Sequence, residues 1–308
     1  MTRIAKFLAL AATLVPLPAL AQDKAAPLGF VAGTDLAYSS DTDDTEVVTA
    51  GIDIDAVRRP NTQYVGIRLE KAWFDPIHSG WRSQERAYLR AASPFGAWQG
   101  QAEIGTDGAT VIGALSVNDH SPFRKELFVE RSIVETRQGL DRGLYQTFVG
   151  AAIDLPVDAR NSFNLLVGAQ AFTGRNERLH LRGSYIHVLV PRLGLSAQLR
   201  ARYFSSSVPG EFDYYSPRRH VEVLPVLQVR RFLDSWELLG VGGIGAQRDA
   251  SADWRQLRYA QLRVRKSIDR DGWGVTGSFT YTNSPADSGV GDTGYSYRQF
   301  TLGISRRF

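Results

Sequence analysis

The sequence predicts an all-β protein: a single transmembrane up-and-down antiparallel β-barrel of about sixteen strands over residues 29–308. Three observations predict it. Apolar and polar residues alternate with period two between turn signals, giving an even number of segments. The connections on one side of those segments are short, and three on the other side are long. All six tryptophans fall at predicted strand ends, where a barrel meets the two water–lipid interfaces.

The start of the chain reads as a secretory signal peptide over residues 1–21. Arg3 and Lys6 precede an apolar run from Phe7 to Leu20, and Ala19-Leu20-Ala21 supplies the small-residue cleavage site. Pro16 and Pro18 break that run, which is too short to span a bilayer as a helix. Residues 22–28 form a short polar periplasmic leader. Removing Arg3 and Lys6 lowers the net charge from +4 to about +2, too little for a nucleic-acid surface. The absence of Cys excludes a disulfide framework and a thiolate metal site. No later window holds eighteen consecutive apolar residues, which excludes a helical membrane protein but not a barrel.

In chain order, the expected strands lie near residues 29–39, 46–56, 62–74, 81–93, 97–106, 109–118, 123–133, 143–154, 161–173, 177–189, 192–206, 218–231, 235–247, 253–267, 272–283 and 295–308. With the first strand rising from the periplasm, the even-numbered strands end in short turns near Val57–Asn61, Pro94–Gly96, Asp119–Pro122, Leu155–Arg160, Val190–Pro191, Phe232–Asp234 and Ile268–Asp271. The opposite rim carries the long connections Val134–Arg142, Ser207–Pro217 and Ser284–Gly294. Trp98, Trp236 and Trp273 begin strands on the short-turn rim, and Trp73, Trp81 and Trp254 sit on the long-loop rim. Pro225 lies inside HVEVLPVLQV, where a closed barrel needs every amide, so a bulge or local break is expected there. The glycines of ELLGVGGIGAQ contain a GxGxxG run, but within a strand pattern they relieve crowding rather than cradle a phosphate.

The last strand, YSYRQFTLGISRRF, places Phe300, Leu302, Ile304 and Phe308 on one face, with Tyr297, Gln299, Thr301, Gly303, Ser305 and Arg307 on the other. Its terminal aromatic, Phe308, resembles the assembly signal of bacterial outer-membrane barrels. Arg306 departs from that pattern, which has an apolar residue or Tyr at this position.

The polar faces are rich in arginine. Arg82, Arg86 and Arg90 share one strand face, as do Arg178, His180 and Arg182; Arg200 with Arg202 and Arg263 with Arg265 repeat the pattern. Arg68, Glu70, Glu126, Glu130, Glu222 and Arg230 join the same inward set. Charges on a lipid face at mid-depth cost roughly 2–4 kcal/mol each, so these rows are expected to line the interior or lie near a rim. Glu85 faces outward by the alternation, and its nearness to Trp81 suits a rim position. Two readings of the inward rows stay open: ions that pair and brace the wall, or a polar path whose guanidinium, hydroxyl and amide groups hydrogen-bond a hydrated solute.

No catalytic constellation emerges. His120-Ser121 falls in a turn, His187 points outward in YIHVLV, and the five histidines show no metal-ligand spacing with carboxylates. No enzyme activity, cofactor or metal is expected.

At FDYYSPRRHVEVLPVLQVRRF, residues 212–232, the chain resembles the barrel domains of exopolysaccharide-secretion porins. Those of the poly-N-acetylglucosamine and cellulose export systems carry an aromatic–aromatic–(Ser/Asn)–Pro element at the start of a late strand, matched by Tyr214-Tyr215-Ser216-Pro217. The resemblance implies a channel for a linear polysaccharide. Those porins also carry a tetratricopeptide region before the barrel, where this sequence has only residues 22–28, so a separate periplasmic helical-repeat partner is implied.

The sequence therefore leads to an outer-membrane channel for polysaccharide export or for polar solutes, in contact with outer-membrane lipid and the barrel-assembly machinery and with no nucleic acid. Two alternatives stand beside it: a plugged structural or receptor barrel displaying its long loops, and a lipid-modifying outer-membrane enzyme.

Overall fold

The computed structural model describes residues 28–59, 62–268, 271–285 and 295–308. The expected signal peptide and nearly all of the leader lie outside these residues, as do the tip of the second strand's turn and most of the Ser284–Gly294 connection.

Sixteen strands form one closed, all-antiparallel barrel in sequence order. They are β1 (Gly29–Asp41), β2 (Glu46–Arg59), β3 (Gln63–Asp75), β4 (Arg82–Phe95), β5 (Trp98–Thr106), β6 (Val111–Asp119), β7 (Lys125–Ile133), β8 (Tyr145–Pro156), β9 (Asn161–Phe172), β10 (Glu177–Val190), β11 (Leu195–Ser206), β12 (His220–Leu233), β13 (Trp236–Asp249), β14 (Arg255–Lys266), β15 (Trp273–Thr282) and β16 (Tyr297–Arg307). The sheet closes because β16 pairs with β1 from Val31↔Arg307 to Asp41↔Tyr297. Closure removes the two free edges that an open sheet would leave in hydrocarbon. Each expected strand is present, with ends shifted by a few residues. The largest shifts are at the end of β2, which runs on to Arg59, and at the start of β11, which begins at Leu195 because Pro191–Leu193 form a single 3₁₀ turn.

The alternation decides which face is which. Leu36, Ile52, Ile54, Ile67, Leu69 and Leu89 on β1–β4, and Phe300 and Leu302 on β16, are all half exposed or more on the outer wall. A continuous apolar band around a closed barrel is stable against hydrocarbon and not against water. At its short-turn edge Trp98, Trp236 and Trp273 open β5, β13 and β15. Lys71 and Glu85, cross-strand partners on the outer wall, pair at 3.0 Å with Lys71 Nζ 5.7 Å from the Trp73 ring, which places Glu85 at the opposite edge.

Pro225 meets the expectation in its second form, a local break. Pairing between β12 and β13 lapses at Leu224 and Pro225 and resumes at Val226↔Gly243 in the same register, so the ladder breaks without a bulge. Proline has no amide to give β13, and the glycines opposite let the strands close over the gap. A Cβ at Gly243 would lie 2.3 Å from Pro225 O, and one at Gly245 would lie 2.1 Å from Val223 O. The glycine run is a close-approach seam within β13.

Candidate functional site

The interior faces of β1–β5 carry a connected ion network. Period-two alternation puts Asp35, Asp53, Asp55, Arg68, Glu70, Arg86, Arg90 and Glu103 on one face, and the register makes Asp53↔Arg68, Glu70↔Arg86 and Arg90↔Glu103 direct cross-strand partners. Opposite charges in that position stabilise a sheet. Arg68 Nη2 donates to Asp35 Oδ2 at 2.9 Å and to Glu70 Oε2 at 3.0 Å, and Arg86 Nη1 donates to Glu70 Oε1 at 2.9 Å. Arg90 reaches Asp53 at 3.0 Å, Asp55 at 3.1 Å and Glu103 at 3.2 Å. Five carboxylates here face three guanidinium groups, so this arc is acidic in balance.

The opposite arc is basic. Arg182 and Arg202 are direct cross-strand partners on β10 and β11, and Arg200 lies one inward position along from Arg202. Arg202 Nη1 donates to Glu222 Oε1 at 3.4 Å, but that oxygen also lies 2.8 Å from His220 Nε2 and accepts from Ser284 Oγ. Arg200 Nε donates to the neutral Gln198 Oε1 at 3.1 Å, with its guanidinium 5.5 Å from the Tyr259 ring.

Two interior cavities, among those that the described residues border, meet at one side chain. The first, about 420 Å³, is bordered by Asp41, Arg86, Glu103, Glu130, Arg131 and Glu135. The second, about 520 Å³, is bordered by Arg182, Arg200, Arg202, Glu222 and Tyr259. Tyr297 of β16 borders both.

A packed lid covers part of the long-loop rim. The β7–β8 connection contains a short helix, α1 (Arg137–Arg142), whose N-cap Thr136 accepts from Gly139 N and whose C-cap Gly143 is left-handed. Asp213, from the β11–β12 connection, accepts from Thr136 Oγ1 at 2.6 Å and Gln138 N at 2.7 Å, locking the two loops together. Arg82 on β4 holds the far end of α1 through Asp141 at 2.8 Å. Glu211 accepts from the backbone of Arg175 at 2.9 Å and Asn176 at 2.8 Å in the β9–β10 turn. Burial pushes the Glu211 carboxyl up, but these N–H donors and the Arg175 side chain outweigh it and hold it below the usual range. Val134, Leu144, Phe172 and Tyr214 form a buried apolar cluster beneath, with Phe172 and Tyr214 stacked at 4.3 Å. Glu135 hangs from this lid into the first cavity, and burial drives its carboxyl up against the opposing pull of Arg86.

The expected inward residues divide by environment. Arg68, Glu70, Arg86 and Arg90 sit in the acidic network, Glu130 borders the first cavity, and Arg182, Arg200, Arg202 and Glu222 border the second. Arg178 is wholly buried beneath the lid, between the rings of Phe172 at 5.0 Å and Phe204 at 4.7 Å, and donates to Tyr215 O. His180 is also buried, bonded to Gln170 at 2.8 Å. Glu126 pairs with Arg124 at 2.9 Å near the short-turn rim. Toward the same rim Arg230 and Arg263 share Glu237 at 3.4 and 3.2 Å, and Arg265 is its cross-strand partner. His187 bonds Asn161 at 2.8 Å and joins neither cavity.

Sequence reasoning missed Asp35, Asp53, Asp55 and Glu103, although GIDIDAV carries the same alternation that marked the arginines. It also missed an apolar patch on the inner wall, where Leu224, Val226, Leu239, Val241 and Leu257 are buried together. The signal was present, since HVEVLPVLQV is apolar on both faces. The Tyr214-Tyr215-Ser216-Pro217 element lies in the lid before β12 rather than at the strand start. Tyr214 packs on Phe172, and Tyr215 Oη contacts His220 Nδ1 at 3.1 Å and donates to Asp249 at 3.3 Å.

No known family model matches the chain, and no curated protein matches it. Among solved structures, a bacterial polysaccharide outer membrane secretin superposes with a TM-score of 0.67 at 12% identity, covering 93% of this chain and 100% of that one. OccAB3 of Acinetobacter baumannii gives 0.46 at 10% identity, covering 91% and 99%. OccK7 of Pseudomonas aeruginosa gives 0.45 at 9% identity, covering 91% and 98%. At such identities the likeness is one of fold.

Proposed function

We propose that this chain is an outer-membrane channel for polar solutes whose specific task is the export of a polysaccharide. The observation that carries the reading is the pair of charged interior cavities meeting at Tyr297 inside a wall that is apolar outside. A hydrated saccharide needs such a lining, because donors and acceptors of both kinds replace the water it sheds. The likeness to a polysaccharide secretin barrel supports the same choice. In this reading the expected signal peptide delivers the chain to the periplasm, the barrel-assembly machinery inserts it among outer-membrane lipids, and a periplasmic helical-repeat protein feeds it. We assign it no catalytic step and no cofactor. Planar-bilayer recording tests this: stable open steps are expected, and a silent membrane containing folded protein overturns it.

A second reading is favoured by one observation, the lid. Loops locked by Asp213, Glu211 and a buried aromatic stack suit a plugged barrel that displays a fixed outer surface. Under that reading, replacing Asp213 leaves conductance absent rather than raising it.

A further inference from the structure

The wall is not equally tall all round. On β4 the ladder with β3 runs up to Phe74↔Arg82, whereas the ladder with β5 starts only at Ala87↔Thr106. Arg82–Arg86 therefore stand above the β5–β6 turn with no strand on that side, over roughly 16 Å. The far flank shows the same step. β6 pairs with β7 only as far as Gly113↔Arg131, while β7 and β8 continue together to Ile133↔Tyr145. A similar step at β14, whose ladder with β15 starts at Tyr259↔Thr282, is stitched by Asn283, which donates to Arg258 O and Gln256 O and accepts from Arg258 N. At β4, among the described residues, side chains alone cross the step.

Packing replaces the missing ladder. By alternation Ile133 and Tyr145 share the outward face of Leu127 and Val149, which lie exposed on the wall. They are instead buried against Tyr88 and Ile112, with Leu140 of α1 beside them, so the top of the β7–β8 hairpin leans across the step and plugs it. One carboxylate ties the plug down. Asp107, in the β5–β6 turn, accepts at Oδ2 from Gln84 Nε2 of β4 at 2.8 Å and from Tyr145 Oη of β8 at 2.6 Å. Its Oδ1 holds the turn itself through Ala109 N and Thr110 N, both at 3.0 Å.

An interior cavity and an outer groove meet at this plug. The first cavity is bordered here by Arg86, Tyr88, Ile112 and Ile133. On the outer side of β4 a groove of about 560 Å³ is bordered by Ile52, Leu69, Ala87, Thr106 and Gly108. Arg86 borders both, so one strand separates them. The groove is continuous with the apolar band that faces hydrocarbon, and the Lys71–Glu85 pair beside Trp73 sets its upper end at the water–lipid interface. Water there satisfies the free edge of β4, which hydrocarbon would not.

We propose that this step is a side gate, through which an acyl chain of an outer-leaflet lipid seated in the groove passes into the first cavity when the Asp107 latch releases. A gap closed by packing and side-chain bonds opens without breaking a strand pairing. The gate goes beyond the channel reading and rests only on the membrane-spanning barrel.

Photo-crosslinking of the refolded barrel in dioleoylphosphatidylcholine vesicles tests the gate, with benzoylphenylalanine placed in turn at Leu69, Tyr88 and Ser184. Leu69, on the groove, is expected to give lipid adducts freely. Tyr88, behind the plug, should give up to about a tenth of that yield, as a minor open state would. Ser184, beside the second cavity, should give none. Asp107→Ala should raise the Tyr88 yield at least about threefold and leave that at Leu69 unchanged, because it removes both latch bonds. Gln84→Leu with Tyr145→Phe removes the same bonds and keeps the turn, so it serves where Asp107→Ala does not fold. Comparing latched and unlatched proteins on one Tyr88 probe cancels any loosening that the probe itself causes. An absence of Tyr88 adducts in all of these proteins overturns the gate, as do equal yields at Tyr88 and Ser184 or a Tyr88 yield that ignores the latch. Tyr88 adducts with a silent bilayer keep the gate and sink the channel, whereas open steps without Tyr88 adducts keep the channel and sink the gate.

Discussion

Phe308 and Phe30 exchange both backbone hydrogen bonds, Phe308 N to Phe30 O at 2.8 Å and Phe30 N to Phe308 O at 3.3 Å, at the seam where the barrel closes. The Phe308 ring stays on the outer wall, largely exposed. Arg306 lies between it and Trp273, with its guanidinium 5.1 and 5.0 Å from the two rings. This accounts for an arginine where outer-membrane barrels carry an apolar residue. Its stem lies along the apolar wall and its charge is held between aromatic faces at the interface.

Deleting Phe308 removes the last seam bonds and one side of the Arg306 sandwich together. Membrane-inserted, heat-modifiable protein should fall severalfold. Phe308→Ala keeps the backbone bonds and removes the ring, so an equal loss in both variants assigns the effect to the ring, and a loss confined to the deletion assigns it to the seam.

Gly113 on β6 adopts φ +128°, and a Cβ there would lie 2.0 Å from Glu103 O. Gly113→Val should lower the unfolding free energy by roughly 1–3 kcal/mol through backbone strain, with steric displacement adding to it. The urea midpoint of the refolded barrel checks this, and an unchanged midpoint shows that the β5–β6 pairing relaxes at no cost.

Arg90 serves Asp53, Asp55 and Glu103, with about a fifth of its side chain exposed. Arg90→Gln should cost up to about 3 kcal/mol, because it strands carboxylates that are largely shielded from water. A thermal melt at neutral pH reads the loss. If the protein conducts, its reversal potential should also move toward cation preference. A shift in potential without a stability change would mean that water already screens this network.

The lid should loosen in acid. The folded Glu211 carboxyl titrates below its ordinary value, so its contribution is fully present above about pH 4.5 and is lost as pH falls through the lower folded value. Protease cleavage within 207–219 should therefore rise in that window and return on neutralisation. Glu211→Gln should be cleaved readily at neutral pH and lose the pH dependence. Cleavage of the unaltered protein that is flat across the window would remove Glu211 as the latch.

Period two is a local property, and the sequence by itself was enough to determine sixteen strands, their faces and the rim on which each connection lies. A side chain's face follows from its own strand, so the outward set at Leu36, Ile52 and Leu302 and the inward set at Arg68, Arg86 and Arg202 were legible. Which inward charges meet is not local. Arg90 finds Asp53 and Asp55 because β2, β3 and β4 lock in one register, and Arg182 opposes Arg202 because β10 and β11 lock in another. The tertiary structure alone decided that Arg178 is sealed beneath a lid while Arg202 faces a cavity. Alternation assigns both to the same face, and only the loop that folds over β10 and β11, carrying Tyr215 onto Arg178, separates them.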